Sequence, residues 1–175
     1  TDCMLQNGAS KVYAVDVGYG QLDYKLRNDP RVVNMEKCNI RYIDRGLIEP
    51  LDFISVDVSF ISLALIFPVA ADMLKDSGKM VCLIKPQFEA GREQVGKKGI
   101  VRDRKVHVQV IENVIKYTIK NGLRPAGLTY SPVTGAKGNI EFLLYIDGKL
   151  KQDEIFDDEI LGIRKVVNTS HEELE

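Results

Sequence analysis

The chain has 175 residues, 45% of them apolar and 28% charged, enough for one domain with a sizeable core. A net charge of −1 excludes a global field that draws the protein to nucleic acid or membrane, so any polyanion site has to be local. The most apolar stretch, residues 61–71, holds Ser62 and Pro68 and is about half the roughly twenty residues a membrane span needs.

Residues 1–7 read as the inside of a helix closed by Gly8, and a start without an initiator methionine leads us to expect a piece of a longer protein. Residues 11–16 (KVYAVD) read as a strand, 21–27 as a short helix stopped by Asn28-Asp29-Pro30, and 31–35 as a second strand. A further strand covers 51–57 (LDFISVD), followed by a mostly apolar helix over 61–75 in which Pro68 marks a kink or a delayed start. Val81, Cys82, Leu83 and Ile84 form a continuous apolar run, the pattern of a strand buried on both faces. A polar loop spans 91–105. Apolar spacing then predicts a helix over 103–121, with Asp103 as cap and Gly122 as stop. Residues 123–130 and 140–146 read as two last strands joined by a turn-rich loop.

Strands alternating with helices predict an α/β fold with a mainly parallel sheet. No helix fits between the last two strands, and so short a connection favours antiparallel pairing. That arrangement on a Rossmann-like sheet points to methyltransferases rather than dehydrogenases. Residues 1–149 are therefore expected to form the domain and 150–175 a charged tail. In the tail, Phe156, Ile160, Ile163 and Val167 recur at helical spacing. Such a helix is expected to dock on the domain's own surface, with a partner interface as the second reading.

Lys85 ends the apolar run and precedes Pro86, which cannot extend a ladder. A cation at the mouth of a buried strand is costly unless it serves a partner. Ligands of open α/β sheets bind outside the carboxyl ends of the strands; a lysine that merely reaches solvent is the alternative. Asp57 also ends an apolar strand, which sets an acid and a base at two strand tips. They form either a plain salt bridge or a proton-transfer site in which the carboxylate orients the amine. Asp16 ends a strand before a glycine-rich turn, where it either accepts from ribose hydroxyls of a nucleoside cofactor or caps the next helix. Glu141 opens the last strand on the face shared with Leu143 and Tyr145. The loop carries Arg92, Lys97, Lys98, Arg102 and Arg104. It is either a solvated surface or a phosphate-gripping flap over the Lys85 site. His107 and His171 receive no role. Cys3, Cys38 and Cys82 are odd in number and lack metal-ligand spacing, and read as reduced thiols of a cytoplasmic protein.

Together, VYAVDVGYGQL (12–22), DPRVVNMEKCNIRYI (29–43), VDVSFISL (56–63), LIKPQFEAGREQVGKKGIVRD (83–103) and GNIEFLL (138–144) resemble the TlyA-type haemolysins. These are FtsJ-like, S-adenosylmethionine-dependent ribosomal RNA ribose methyltransferases. The resemblance covers residues 1 to about 146. It implies that Asp57, Lys85 and Glu141 match three members of a Lys-Asp-Lys-Glu catalytic set. It also implies that Asp16 holds the cofactor ribose, Val17 flanks the adenine, Asn39 reads the adenine amino edge, and Asp57 borders the cofactor. No metal is implied, and the partner is ribosomal RNA or a ribosomal subunit. The family's S4-like domain, first catalytic lysine and first central strand with its glycine-rich loop would all precede Thr1. The sheet is thus expected to lack that strand, and residues 1–175 alone are expected to be insoluble or unfolded and not to bind S-adenosylmethionine. The resemblance implies transfer of a methyl group to a ribose 2′-hydroxyl, with Lys85 taking the proton or stabilising the charge, Asp57 orienting it, and Glu141 positioning the upstream lysine. The competing readings are a membrane-active haemolysin, a nicotinamide-dependent oxidoreductase, and an RNA-binding remnant without catalysis.

Overall fold

Two sheets carry the chain in the computed structural model, which describes residues 1–151 and 157–174. They fall in two units, residues 1–49 and 50–175. The first unit holds α1 (Asp2–Gln6), β1 (Val12–Val15), α2 (Tyr24–Arg27) and β2 (Val32–Met35). β1 and β2 pair in parallel from Val12 opposite Val32 to Val15 opposite Met35. α2 is capped by Asp23, whose carboxylate accepts from the Lys25 N–H at 2.8 Å, so Asp16 is not the cap of that helix. The small apolar core here includes Leu5 and Val12. Ion pairs Lys11–Glu49, Arg27–Glu36 and Arg31–Asp29 add surface ties.

The second unit contains β3 (Leu51–Val56), α3 (Phe67–Met73), β4 (Leu74–Ile84), α4 (Pro86–Glu89) and α5 (Arg104–Lys120). It continues with β5 (Leu123–Tyr130), β6 (Phe142–Lys149) and α6 (Ile163–Leu174). The sheet order is β3-β4-β6-β5. β3 and β4 are parallel, while β6 runs antiparallel to both β4 and β5. Only a 3-10 turn at Ala136–Gly138 interrupts the β5–β6 connection. The sheet is mixed, with the antiparallel last strand that the short connection predicts. β1 and β3 each have one edge without a strand partner among the described residues.

Packing shifts several boundaries. The helix expected over 61–75 begins at Phe67, after a 3-10 turn at Leu63–Leu65 capped by the Ser62 hydroxyl, and Pro68 stands in its first turn. A proline is tolerated there because its missing N–H has no partner inside the helix. That helix ends at Met73, and β4 takes up the chain at Leu74, with a register irregularity against β3. On β4, Met80, Cys82 and Ile84 are fully buried while Val81 and Leu83 stay half-buried. The strand therefore has one dry face rather than two. Alternation continues in β6, where Phe142, Leu144 and Ile146 are inaccessible to solvent.

α5 lays Val110, Ile111, Val114 and Ile115 on the core. Asp103 caps it, accepting from the Lys105 N–H at 2.8 Å, and Gly122 ends it at φ +69°, a conformation that favours glycine. α6 packs on α5 and β5 through Val167, Ser170 and His171. The tail stripe is shorter than its spacing implies. Ile160 is 77% exposed, because Gly162 in the left-handed region turns the chain before α6 begins. Leu161 is buried instead, and Phe156 lies outside the described residues. Beneath α6, His171 Nε2 and His107 Nδ1 lie 2.9 Å apart, and His107 Nε2 lies 3.1 Å from the Val101 carbonyl. The carbonyl can only accept, so His107 Nε2 carries the proton and His107 Nδ1 accepts from His171. No helix among the described residues is long and apolar enough to cross a membrane.

Leu144→Ala removes a fully buried side chain from the middle strand pairing and is expected to cost about 2–5 kcal/mol. Asp103→Ala, which loses only a helix cap, is expected to cost about 1 kcal/mol. Urea unfolding of the two variants checks both the order and the sizes.

Candidate active site

Strand register brings three of the expected residues to one end of the larger sheet. Val56 pairs with Cys82, and Ile84 pairs with Phe142. Asp57, Lys85 and Glu141 are the neighbours of those strand ends, so the ladder sets them side by side. Glu141 stands one residue before β6 rather than inside it. Pro86 opens α4 immediately after Lys85, where its lack of an N–H costs nothing.

Lys85 Nζ lies 2.6 Å from Asp57 Oδ1, with the lysine side chain 15% exposed and the aspartate 69% exposed. The ammonium also donates to the Ser59 hydroxyl at 3.1 Å. The lysine stem is covered while its carboxylate partner faces outward, which keeps the amine at a defined point on the rim. Glu141 is buried, and its Oε1 accepts from Gln87 Nε2 at 3.0 Å. Gln87 Oε1 is itself buried without a partner among the described residues. The Glu141–Gln87 cluster thus holds more acceptors than donors. Gly135 is packed so closely that a Cβ there would come within 2.2 Å of Glu141 Oε1, so any larger residue would displace the carboxylate.

The loops around this end are braced by buried and half-buried polar groups. Glu89 accepts from the Ser62 hydroxyl at 2.6 Å and from the Leu63 N–H at 2.8 Å, tying α4 to the segment after β3. Burial pushes its carboxyl above the usual range, opposed by those two hydrogen bonds. Asn139 accepts from the Val101 N–H at 3.1 Å and donates to the Gly99 carbonyl at 3.0 Å. This ties the basic loop to the segment that carries Glu141. Phe60 is 91% exposed at φ +63°, with its ring 4.9 Å from that of Phe88. A bulky residue held in the left-handed region is strained, a feature that clusters at functional sites. Gln87, Glu89, Asn139 and Phe60 are additions to the residues expected from sequence; their only sequence signal is membership of the KPQFE, GNIEF and VSFIS motifs.

The basic loop is exposed at Arg92, Lys97, Lys98 and Arg102. A hollow of about 340 Å³ is lined by Lys97, Lys98 and Arg102. Arg104 belongs to the first turn of α5 rather than to the loop.

Asp16, Val17 and Asn39 lie in the first unit. Asp16 follows β1, and its Oδ1 accepts from the Gly18 N–H at 2.6 Å, while its second oxygen has no partner among the described residues. Val17 beside it is 71% exposed. Asn39 Oδ1 caps a 3-10 turn by accepting from the Arg41 N–H at 3.1 Å. A carboxylate with a spare oxygen next to an exposed apolar side chain fits a sugar diol beside a flat base.

Residues 1–147 match the family described as FtsJ-like methyltransferase. YqxC of Bacillus subtilis, named a candidate rRNA methyltransferase, is 50% identical over 183 residues, covering 99% of this chain and 63% of its own length. TlyA of Mycobacterium tuberculosis, named a 16S/23S rRNA (cytidine-2′-O)-methyltransferase, is 40% identical over 147 residues, covering 83% of this chain and 55% of its own length. A solved structure described as a candidate hemolysin from Streptococcus thermophilus superposes with a TM-score of 0.90 at 48% identity, over 98% of this chain and 62% of that one. The chain therefore spans less than two thirds of the length of these relatives. The family match runs from α1 into β6, and the chain belongs to the FtsJ-like methyltransferase family.

Proposed function

We propose that this chain is the catalytic part of an S-adenosylmethionine-dependent methyltransferase acting on a ribose 2′-hydroxyl of ribosomal RNA, in the cytoplasm. The observation that carries this reading is the Asp57–Lys85 pair at 2.6 Å on the rim of a mixed methyltransferase-type sheet, in a chain of this family. The relative named as an rRNA cytidine-2′-O-methyltransferase supports the choice of substrate.

S-adenosylmethionine, when bound, supplies a methyl carbon already activated by a positively charged sulfur. Asp16 would hold its ribose hydroxyls through the spare carboxylate oxygen, with Val17 and Asn39 at the adenine. Lys85 Nζ meets the 2′-hydroxyl of the RNA. It would either take the hydroxyl proton or stabilise the charge on the oxygen as the new O–C bond forms and the methyl–sulfur bond breaks, leaving a neutral thioether. Asp57 and Ser59 fix Nζ in place, so the chain's main contribution is alignment. Glu141 with Gln87 forms a buried acceptor pair that a second lysine would complete, the role the family resemblance gives Glu141. Phe60 offers a face on which a base beside the reacting ribose would stack.

In the full-length protein, Lys85→Ala is expected to abolish methyl transfer while leaving cofactor affinity within about two-fold, on the order of 0.4 kcal/mol. Lys85→Arg is expected to fail as well, since a guanidinium does not release its proton near neutral pH. Tritium transfer from labelled cofactor to RNA reads both, and near-normal transfer by the arginine variant would remove Lys85 from the role of base.

Asp16→Ala is expected to weaken S-adenosylmethionine binding by roughly ten- to a hundred-fold, the equivalent of about 1.5–3 kcal/mol for hydrogen bonds to a charged group. Isothermal calorimetry checks it, and unchanged affinity would take Asp16 out of the cofactor site.

Neutralising Arg92, Lys97, Lys98 and Arg102 together is expected to weaken RNA binding and to flatten its salt dependence by about 0.7 to 0.9 per lost phosphate contact. A slope equal to the parent's would leave the loop as an ordinary solvated surface.

A further inference from the structure

The basic loop is not where the cationic surface ends. Beyond Arg102, the first turn of α5 carries Arg104 and Lys105, and the first turn of α6 carries Arg164 and Lys165. The two turns are neighbours, since Arg104 donates to the Asn168 side chain at 3.4 Å. Between them runs an open groove of about 400 Å³ lined by Arg104, Lys105, Arg164, Gln109 and Asn168, with Glu112 as its one carboxylate. A second hollow, of about 310 Å³, adjoins it through Arg164 and Glu112 and adds Lys165 and Glu159. On the other side Arg102 and Asp103 line the hollow in the basic loop. Asp103 is the one carboxylate lining that hollow, and it also caps α5.

Several cations elsewhere in the chain are held in ion pairs. Lys11, Arg27, Arg31, Lys75, Lys85, Arg124 and Lys149 each meet a carboxylate. Arg104, Lys105, Arg164 and Lys165 are exposed and form no ion pair among the described residues. In a chain of net charge −1, a run of unpaired cations along one surface is a local attraction for a polyanion. Spacing along a groove suits a strand of successive phosphates rather than a single anion. Gln109 and Asn168 add neutral side-chain groups that hydrogen-bond to phosphate or sugar without reading a base.

We propose that the α5–α6 groove is a second phosphate-binding surface for the RNA substrate, continuing the track of the basic loop. It rests on the methyltransferase reading above and gives α6 a function beyond covering the core. The residues that dock α6, namely Val167, Ser170 and His171, are distinct from Arg164 and Lys165, so the groove can be altered without disturbing the docking. The groove holds the backbone of the RNA away from the reacting ribose, adding affinity and orientation but no base preference.

The test uses the full-length protein and a ribosomal RNA fragment that the parent methylates, with binding followed by fluorescence anisotropy across a salt series. Arg164→Gln/Lys165→Gln and Arg164→Glu/Lys165→Glu are compared with Lys116→Glu/Lys120→Glu, two exposed lysines of α5 outside the groove. The neutral pair is expected to lower the slope of log K against log salt by about 1.4 to 1.8, from two contacts at about 0.7 to 0.9 each. It is also expected to raise KM for RNA and to leave S-adenosylmethionine affinity and the melting transition unchanged. The reversed pair is expected to go further, and the Lys116/Lys120 pair to stay near the parent. A parent slope in the Arg164/Lys165 variants would exclude the groove while leaving the methyltransferase reading intact. An equal loss in the Lys116/Lys120 pair would reduce the effect to net charge and also exclude it. Should the parent methylate no ribosomal RNA fragment, the methyltransferase reading falls and the groove proposal with it.

Discussion

Everything at the candidate site depends on β4 being paired on both sides and then stopped. Cys82 faces Val56 in a parallel ladder and Leu144 in an antiparallel one, and Pro86 ends the strand one residue after Lys85. Those two ladders leave the tips of three strands within two rungs of each other, which is what assembles Asp57, Lys85 and Glu141. A slip of one residue in either ladder would turn every side chain of that strand to the opposite face. The fully buried row of Met80, Cys82 and Ile84 against Phe142, Leu144 and Ile146 makes such a slip expensive. Core packing is therefore also what holds the site in register.

Around that fixed end, the irregular segments are held by a few polar side chains alongside buried apolar anchors such as Leu63, Val101 and Ile140. Glu89 clamps the turn after β3, Asn139 clamps the basic loop, and Gln87 reaches Glu141. A buried polar group that loses its partner costs about 1–3 kcal/mol, so the clamp on buried Asn139 favours one loop conformation. The Glu141–Gln87 cluster is the exception, with a buried acceptor left over.

What was legible in the sequence is what short-range chemistry dictates. The apolar run before Lys85, the helical spacing and Asp103 cap of α5, and the absence of a helix between β5 and β6 all act within one element or one connection. They located the strand tips and the antiparallel last strand. The start of α3 was less legible, because an apolar stretch that continues from Ile61 through Leu65 does not show that its first part packs as a 3-10 turn under Glu89. The same holds for Ile160, whose spacing fits the α6 stripe but which lies beyond the turn at Gly162. The braces were the hardest to read. Gln87 and Glu141 are 54 residues apart, Asn139 and Val101 38, and His107 and His171 64. A lone histidine or amide carries no local sign of a partner that far along the chain.

The same distinction separates the two halves of the proposed chemistry. Asp16 is set by a bond to the N–H two residues on, and Asn39 by one of the same span. Such turns form from their own segment, so the residues assigned to the cofactor are held in shape by local bonds. Lys85, Asp57 and Glu141 come together only when β3, β4 and β6 have paired. Reading a nucleoside needs a rigid local surface, which a turn supplies cheaply. Aligning an amine with a hydroxyl needs groups from separate strands to converge on one point, which only tertiary structure supplies. A chain that separates the two tasks in this way can vary the loop and groove proposed to bind RNA, both outside the strand ladders, without disturbing either.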